Sequence, residues 1–240
     1  SAYPDLEALP RHLLVELATR AEGNPYFLEE IIKGLLKSGR TIEEPPQDTI
    51  DKLHQQIPES LRATLQARLD SLSREARTCA LMASVVGRVF WVGALEAIAT
   101  VNPGTGTLAI MPTPVMERLI QDGLRQLVRA ELVFPRSGTI FSSEQEFIFK
   151  NSYLREVAYD LIPRRSRGLY HRAVGRWLSE HLESSFKVMS AEHFVQSGDF
   201  GFAAEQYQET IDMAERRGAL SEARALRDRA KPAFEKSKKT

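Results

Sequence analysis

The sequence predicts a mainly α protein: a helical domain and a winged helix with a small β-hairpin, followed by helical-repeat hairpins. Three observations predict it. Leucines and alanines recur at three- and four-residue spacing over most of the chain, as one face of a helix requires. The period changes once, at Leu132-Val133-Phe134-Pro135 and Phe147-Ile148-Phe149. These short runs of branched and aromatic residues flank a turn around Arg136-Ser137-Gly138 and read as paired strands. Beyond Ser184-Ser185 the helical pattern returns in short pairs, with alanines where two helices would cross.

Taken in order, residues 1–40 form a helical, lid-like segment. Leu6, Leu9, Leu13, Leu14 and Leu17 keep helical spacing up to a break at Gly23-Asn24-Pro25. Asn24 suits an N-cap and Pro25 a first helical position, where a missing N–H costs nothing. Phe27, Leu28, Ile31, Ile32, Leu35 and Leu36 then share a face that ends at Ser38-Gly39. Residues 41–56, with Pro45-Pro46 and little pattern, read as a linker.

Residues 57–163 have the order of a winged helix, helices followed by a terminal hairpin. Leu61, Leu65, Leu69 and Leu72 make one helix; Ser73 caps a second carrying Ala76, Ala80, Ala83 and Val86, which stops at Gly87. A short third segment holds Val92, Leu95 and Ile98. After a loop rich in Pro, Gly and Thr, a fourth points Met116, Leu119, Ile120, Leu124 and Leu127 inward. The hairpin follows, and then a helix through Tyr153, Leu154, Val157, Ala158 and Leu161 that stops before Pro163.

Residues 164–240 read as a helical arm leading into repeats. A long helix carries Leu169, Tyr170, Ala173, Val174, Trp177 and Leu178. Two shorter ones hold Ala191, His193 and Phe194, then Phe202, Ala203, Ala204 and Tyr207, with Gly198-Asp199 between them. A last helix begins near Leu220. One such pair cannot bury its faces alone, so the pattern predicts a longer array cut near Thr240.

Composition narrows the function. Lysine plus arginine and aspartate plus glutamate tie at 32 each among 240 residues, so no global field attracts nucleic acid or an anionic membrane. Cys79 is the only cysteine, which fits a reducing, cytoplasmic address and a buried structural role. No run approaches the about 18–20 apolar residues of a membrane span, so no membrane contact is expected.

No catalytic constellation emerges, and the chain is expected not to be an enzyme. A phosphate-cradling loop needs Gly-x-x-x-x-Gly-Lys-Ser/Thr; Gly104-Thr105-Gly106-Thr107 lacks the lysine and a preceding strand. His12, His54, His171, His181 and His193 contain no i,i+4 pair and one cysteine supplies no zinc site. Each histidine reads as a surface or helix-packing residue, with His193 bracing the turn at Gly198. No metal site is expected.

One charge run stands out. Lys150, Arg155, Arg164, Arg165, Arg167, Arg172 and Arg176 face only Glu156 and Asp160 in sequence. They make a solvated face or a basic contact patch for an acidic partner domain or a phosphate. A DNA-binding winged helix would also need basic residues on the recognition helix and wing. Arg118, Arg125 and Arg129 are there, but so are Glu117, Asp122, Glu131, Glu144 and Glu146, which makes DNA an unfavoured partner.

Three segments together resemble the STAND class, the AAA+-related signal-transduction ATPases found in bacterial multidomain regulators and cyclase-associated ATPase modules. Ala21-Glu22-Gly23-Asn24-Pro25-Tyr26-Phe27-Leu28-Glu29-Glu30 resembles the Gly-x-Pro motif of the helical domain that follows the ATPase core. Ile57-Pro58-Glu59-Ser60-Leu61 through Leu69-Asp70-Ser71-Leu72 is similar to the start of the family's winged helix. Phe147-Ile148-Phe149-Lys150-Asn151, Arg155-Glu156-Val157-Ala158-Tyr159, Arg167 and His171 resemble a signature of Phe-x-Phe-x-His, Arg-Glu-x-x-Tyr, Arg and Leu-His. Ala191-Glu192-His193-Phe194 with Ser197-Gly198-Asp199 looks like entry into a tetratricopeptide-like (TPR-like) sensor array.

The resemblance implies a regulatory, sensor-coupling fragment of a larger ATPase that gates a nucleotide switch through inter-domain contacts. ATP or ADP with magnesium would belong to the parent protein and no cofactor to this chain alone. Gly23, Asn24 and Pro25 would lie next to the nucleotide, though a helix cap accounts for the same residues. Asn151 stands where relatives often have a phosphate-reaching histidine; asparagine can donate a hydrogen bond but carries no charge. The implied partners are an N-terminal ATPase core of the same polypeptide and a protein or small-molecule signal at the repeats. The contact patch would be Arg155, Arg164, Arg165, Arg167, Arg172 and Arg176. The competing readings are a winged-helix DNA-binding regulator and a helical-repeat scaffold for protein interaction.

Overall fold

A computed structural model describes residues 59–101, 113–137, 144–181 and 187–238. The helical segment and linker expected over residues 1–56, with Gly23, Asn24 and Pro25, lie outside them. The chain divides into two compact units between Ser71 and Leu72. Of the first, the described part is α1 (Glu59–Asp70). Leu61, Leu65 and Leu69 are buried along one face of it, the i, i+4, i+8 stripe that leucine spacing dictates. Leu72 lies past its end.

The second unit opens with α2 (Arg74–Val86). Ser73 caps it, its hydroxyl accepting the Ala76 N–H at 3.2 Å. Gly87 stops it at φ 153°, a backbone angle side-chain-bearing residues rarely adopt. There follow β1 (Val89–Trp91), α3 (Val92–Ala99), α4 (Thr113–Arg129), β2 (Val133–Arg136) and β3 (Glu146–Phe149). The protein is therefore mainly α with a small antiparallel sheet, as the sequence predicts. Among the described residues the sheet has three strands in the order β1-β3-β2, one more than the expected hairpin. Val89-Phe90-Trp91 pairs with Ile148, Phe147 and Glu146. It is only three residues long and runs straight into the helical pattern of α3, so it shows no alternation of its own.

The added strand anchors the sheet. Phe90 is fully buried, its ring 5.8 Å from that of Phe147 and 5.3 Å from that of Phe149. Trp91 donates its indole N–H to the buried Glu146 carboxylate at 2.9 Å, and Arg136 of β2 pairs with the same carboxylate at 2.9 Å. Pro135 is tolerated because β2 is an edge strand and its ladder bonds fall on Leu132, Phe134 and Arg136. On α4, Met116, Ile120, Leu124 and Leu127 are buried as expected, but Leu119 is exposed.

Five helices complete the unit: α5 (Ser152–Asp160), α6 (Arg164–His181), α7 (Lys187–Ser197), α8 (Phe200–Arg216) and α9 (Leu220–Ser237). α6 packs on α2 and α3 on one side and on α7 on the other. There Trp177 stacks on Trp91 at 6.0 Å, and Ser190 donates its hydroxyl to the Gly175 carbonyl at 2.8 Å. α7, α8 and α9 then pack in succession around Phe194, Tyr207, Ile211 and Leu226. Ala203, Ala214, Ala223, Ala230 and Ala233 are fully buried at the crossings, where small side chains let backbones approach. Gly198 and Gly218 close α7 and α8 at φ 85° and 74°, the left-handed cap glycine permits. No helix among the described residues is long and apolar enough to cross a membrane.

A close crossing lies between α2 and α4. A Cβ at Gly123 would sit 2.6 Å from the Cys79 sulfur and 3.0 Å from the Glu75 carbonyl oxygen, whereas at Gly201 on α8 nothing lies within 4 Å. Gly123→Ala should therefore cost about 1–3 kcal/mol through overpacking. Gly201→Ala should be neutral or stabilise by up to about 1 kcal/mol through helix propensity. Urea-unfolding midpoints of the two variants check the contrast.

Candidate functional site

The residues of the third resembling segment converge where α2, α5, α6 and α7 meet. Asn151 begins the construction as the N-cap of α5: it is buried, and its side-chain oxygen accepts the Leu154 N–H at 2.8 Å. That sets the phase of α5, on which Arg155 and Tyr159 are one turn apart and face the same way. After Pro163, α6 places Arg167 and His171 one turn apart in the same manner. Arg167 donates to the Ile162 and Asp160 carbonyls, both at 3.0 Å, capping the carbonyl end of α5 with a cation where the helix dipole favours one. Arg155 reaches the other way and donates its Nε to the Ser84 carbonyl of α2 at 2.7 Å. Both guanidinium groups lie over the Tyr159 ring, at 5.1 Å and 4.6 Å from its centroid, within cation–π range.

From Tyr159 a chain of hydrogen bonds runs inward. The Tyr159 hydroxyl is 2.8 Å from His171 Nε2, and His171 Nδ1 is 2.9 Å from His193 Nδ1 on α7. The Val86 carbonyl at the end of α2 also acts on the His193 ring. At the Nδ1–Nδ1 contact one ring donates and the other accepts, so the two neutral rings hold opposite tautomers. The Tyr159 hydroxyl, which can donate or accept, matches the tautomer that His171 holds.

The electrostatics agree with this assignment. His171 is pushed down to about 4, chiefly by burial and then by the cations of Arg155 and Arg167. His193 is pushed down to about 3 by burial and then by His171, against the opposing pull of the Val86 carbonyl. Both imidazoles are neutral at pH 7, so at their contact one can donate and the other accept.

The other candidate residues disperse. Arg164, Arg165 and Arg176 are exposed on α6. Arg172 is exposed too, but it holds Asp199 through two hydrogen bonds of 2.5 Å. The basic stretch thus splits into two arginines built into the joint, one clamping the α7–α8 turn and three on the surface. Arg172 braces that turn, the role expected of His193, which instead faces His171. Arg118, Arg125 and Arg129 are exposed on α4, and Arg125 pairs with Asp122. The Cys79 thiol is pushed up to about 12 by burial and by Glu75, so it is held as an uncharged packing group. No group of three or more histidine, cysteine or acidic side chains that could hold a metal occurs among the described residues.

The His171–His193 contact is the feature the sequence conceals. The two lie 22 positions apart on different helices, outside any local spacing rule. The available hint is that each sits on the apolar face of its helix, beside Val174 and Phe194. No protein-family model matches the chain, nor does any curated protein or solved structure.

A pH dependence follows. Both histidines have folded pKa values below the ordinary 6.5, so the unfolded chain binds protons that the folded one refuses. Stability is therefore level above about pH 6.5 and falls as pH drops below it. Two protons set a limiting slope of about 2.7 kcal/mol per pH unit. Urea unfolding between pH 7.5 and 5 should show this fall. A variant with His171→Asn and His193→Asn should be less stable at pH 7.5 and lose most of the slope.

Proposed function

We propose that this chain is a regulatory, non-catalytic segment of a multidomain signal-transduction ATPase of the STAND class, coupling a helical-repeat sensor to a nucleotide switch. The observation that supports the reading is the joint itself. Arg155, Tyr159, Arg167, His171 and His193 form one connected network that ties the end of α2, beside the sheet, to the first helices of the arm. A buried polar network with each role satisfied is stiff and specific. A displacement of α7–α9 would be passed to the sheet-bearing part as rigid-body motion, which is how such switches move between two domain arrangements.

In this reading Arg164, Arg165 and Arg176, outward on α6, face the ATPase core of the same polypeptide. ATP or ADP with magnesium binds in that core, beside Pro25, and Asn151 serves as a helix cap. The parent is cytoplasmic, and its signal arrives at the repeats. A second reading, DNA binding through Arg118, Arg125 and Arg129, draws on their exposure on α4. Against it, Arg125 is engaged by Asp122, Arg136 by Glu146 and Lys150 by Glu131.

The parent protein, purified and denatured, should release one ADP per chain, and Pro25→Asp should abolish that. Reversing the surface charges with Arg164→Glu, Arg165→Glu and Arg176→Glu should speed ADP exchange by about tenfold, the scale of a typical coupling energy. A folded parent that releases no nucleotide would sink the reading. So would magnesium-dependent ATP hydrolysis by the 240-residue chain alone.

A further inference from the structure

A cleft of about 530 Å³ opens against the histidine pair, within the size range of small-molecule sites. One wall is the end of α2 and the start of β1, with Val86, Arg88 and Val89. The other is α7 and α9, with Met189, Glu192, Gln196 and Arg229. Arg155, His171 and His193 also line it. The ladder bonds of β1 fall on Arg88 and Val92, so the N–H of Val89 is on the outer edge of the strand, the edge that borders the cleft.

Among the described charged residues that line the cleft, Arg229 is paired to Glu192 and Arg88 has interactions of its own, which leaves Arg155. Arg155 decides the sign. Its partners are the Ser84 carbonyl and the Tyr159 ring, which fix its position without neutralising it. The basicity of both histidines is lowered in part by that same cation, so the field is felt inside the cleft. A guanidinium immobilised in advance binds an anion with little further loss of side-chain freedom. Val86, Val89, Trp91, Met189 and Pro232 supply apolar surface beside it.

We propose that this cleft binds a small organic anion, a carboxylate or phosphate ester on an apolar body, with Arg155 as its main charge partner. The bound anion bridges α2 and β1 to α7 and α9 and stiffens the joint from outside the histidine pair. The site stands on its own geometry and does not depend on the ATPase reading.

The probe is 8-anilinonaphthalene-1-sulfonate, an anion with an apolar body, titrated into the 240-residue chain and followed by fluorescence and calorimetry. Its uncharged analogue N-phenyl-1-naphthylamine is the control for plain hydrophobic binding. One saturable site is expected, with the uncharged analogue about tenfold weaker or worse, the worth of one charge-assisted contact. Arg155→Gln should weaken the anion by about tenfold, and Glu192→Gln, which removes the opposing charge, should tighten it about threefold or more. Met189→Trp should narrow the cleft and weaken binding of both probes without changing any charge. Should Arg155→Gln fail to fold, the opposite response of Glu192→Gln, an exposed position, still decides. Absence of a saturable site, equal affinity for both probes, or indifference to Glu192→Gln would overturn the proposal.

Discussion

Two imidazoles in contact across α6 and α7 can bond only if one gives a proton and the other takes it, and the rest of the joint depends on that condition. The two rings therefore hold opposite tautomers, one with its proton at Nδ1 and the other at Nε2. The Tyr159 hydroxyl donates or accepts at His171 to match, so the chain of bonds keeps one direction throughout. A charge on both rings would leave two donors facing each other in a buried place, at the high cost of an unmade polar contact there. Burial above all keeps both rings neutral, with the Arg155 cation acting the same way on both and the Arg167 cation on His171. Their own hydrogen bonds tie that charge to α2 and α5. Electrostatics and connectivity are thus one arrangement.

This arrangement also explains why the sheet-bearing part and the arm form a single compact unit. α6 shares faces with both, and polar contacts hold it at one end while Trp91 and Trp177 hold it at the other. Gly175 lets the Phe194 ring come so near that an added Cβ would be 3.2 Å from it. The histidines can meet only if α6 and α7 pack that closely.

Much of the helical pattern was legible in the sequence because helices obey a short period. Ser73 and Gly87 mark the ends of α2 by their own chemistry, and the alanines of α7–α9 mark the crossings. β1 was not legible, since three apolar residues joined to a helix carry no period of two. Leu119 shows the limit of the pattern in the other direction: it has the spacing of a core residue yet is exposed. In the site, Arg155 with Tyr159 and Arg167 with His171 could be seen as helical neighbours. The partner of His171 lies on another helix and depends on packing. The Arg172–Asp199 clamp is hidden for the same reason, so the basic stretch reads as more uniform than it is.

The most direct measurement is nitrogen-15 spectroscopy of the imidazole rings, resolving two-bond couplings, on the 240-residue chain at pH 7 and then at pH 5.5. The relay predicts two neutral rings of opposite tautomer, one protonated at Nδ1 and the other at Nε2, neither taking a proton at the lower pH. Two rings of the same tautomer, or imidazolium signals for either histidine at pH 5.5, would contradict it.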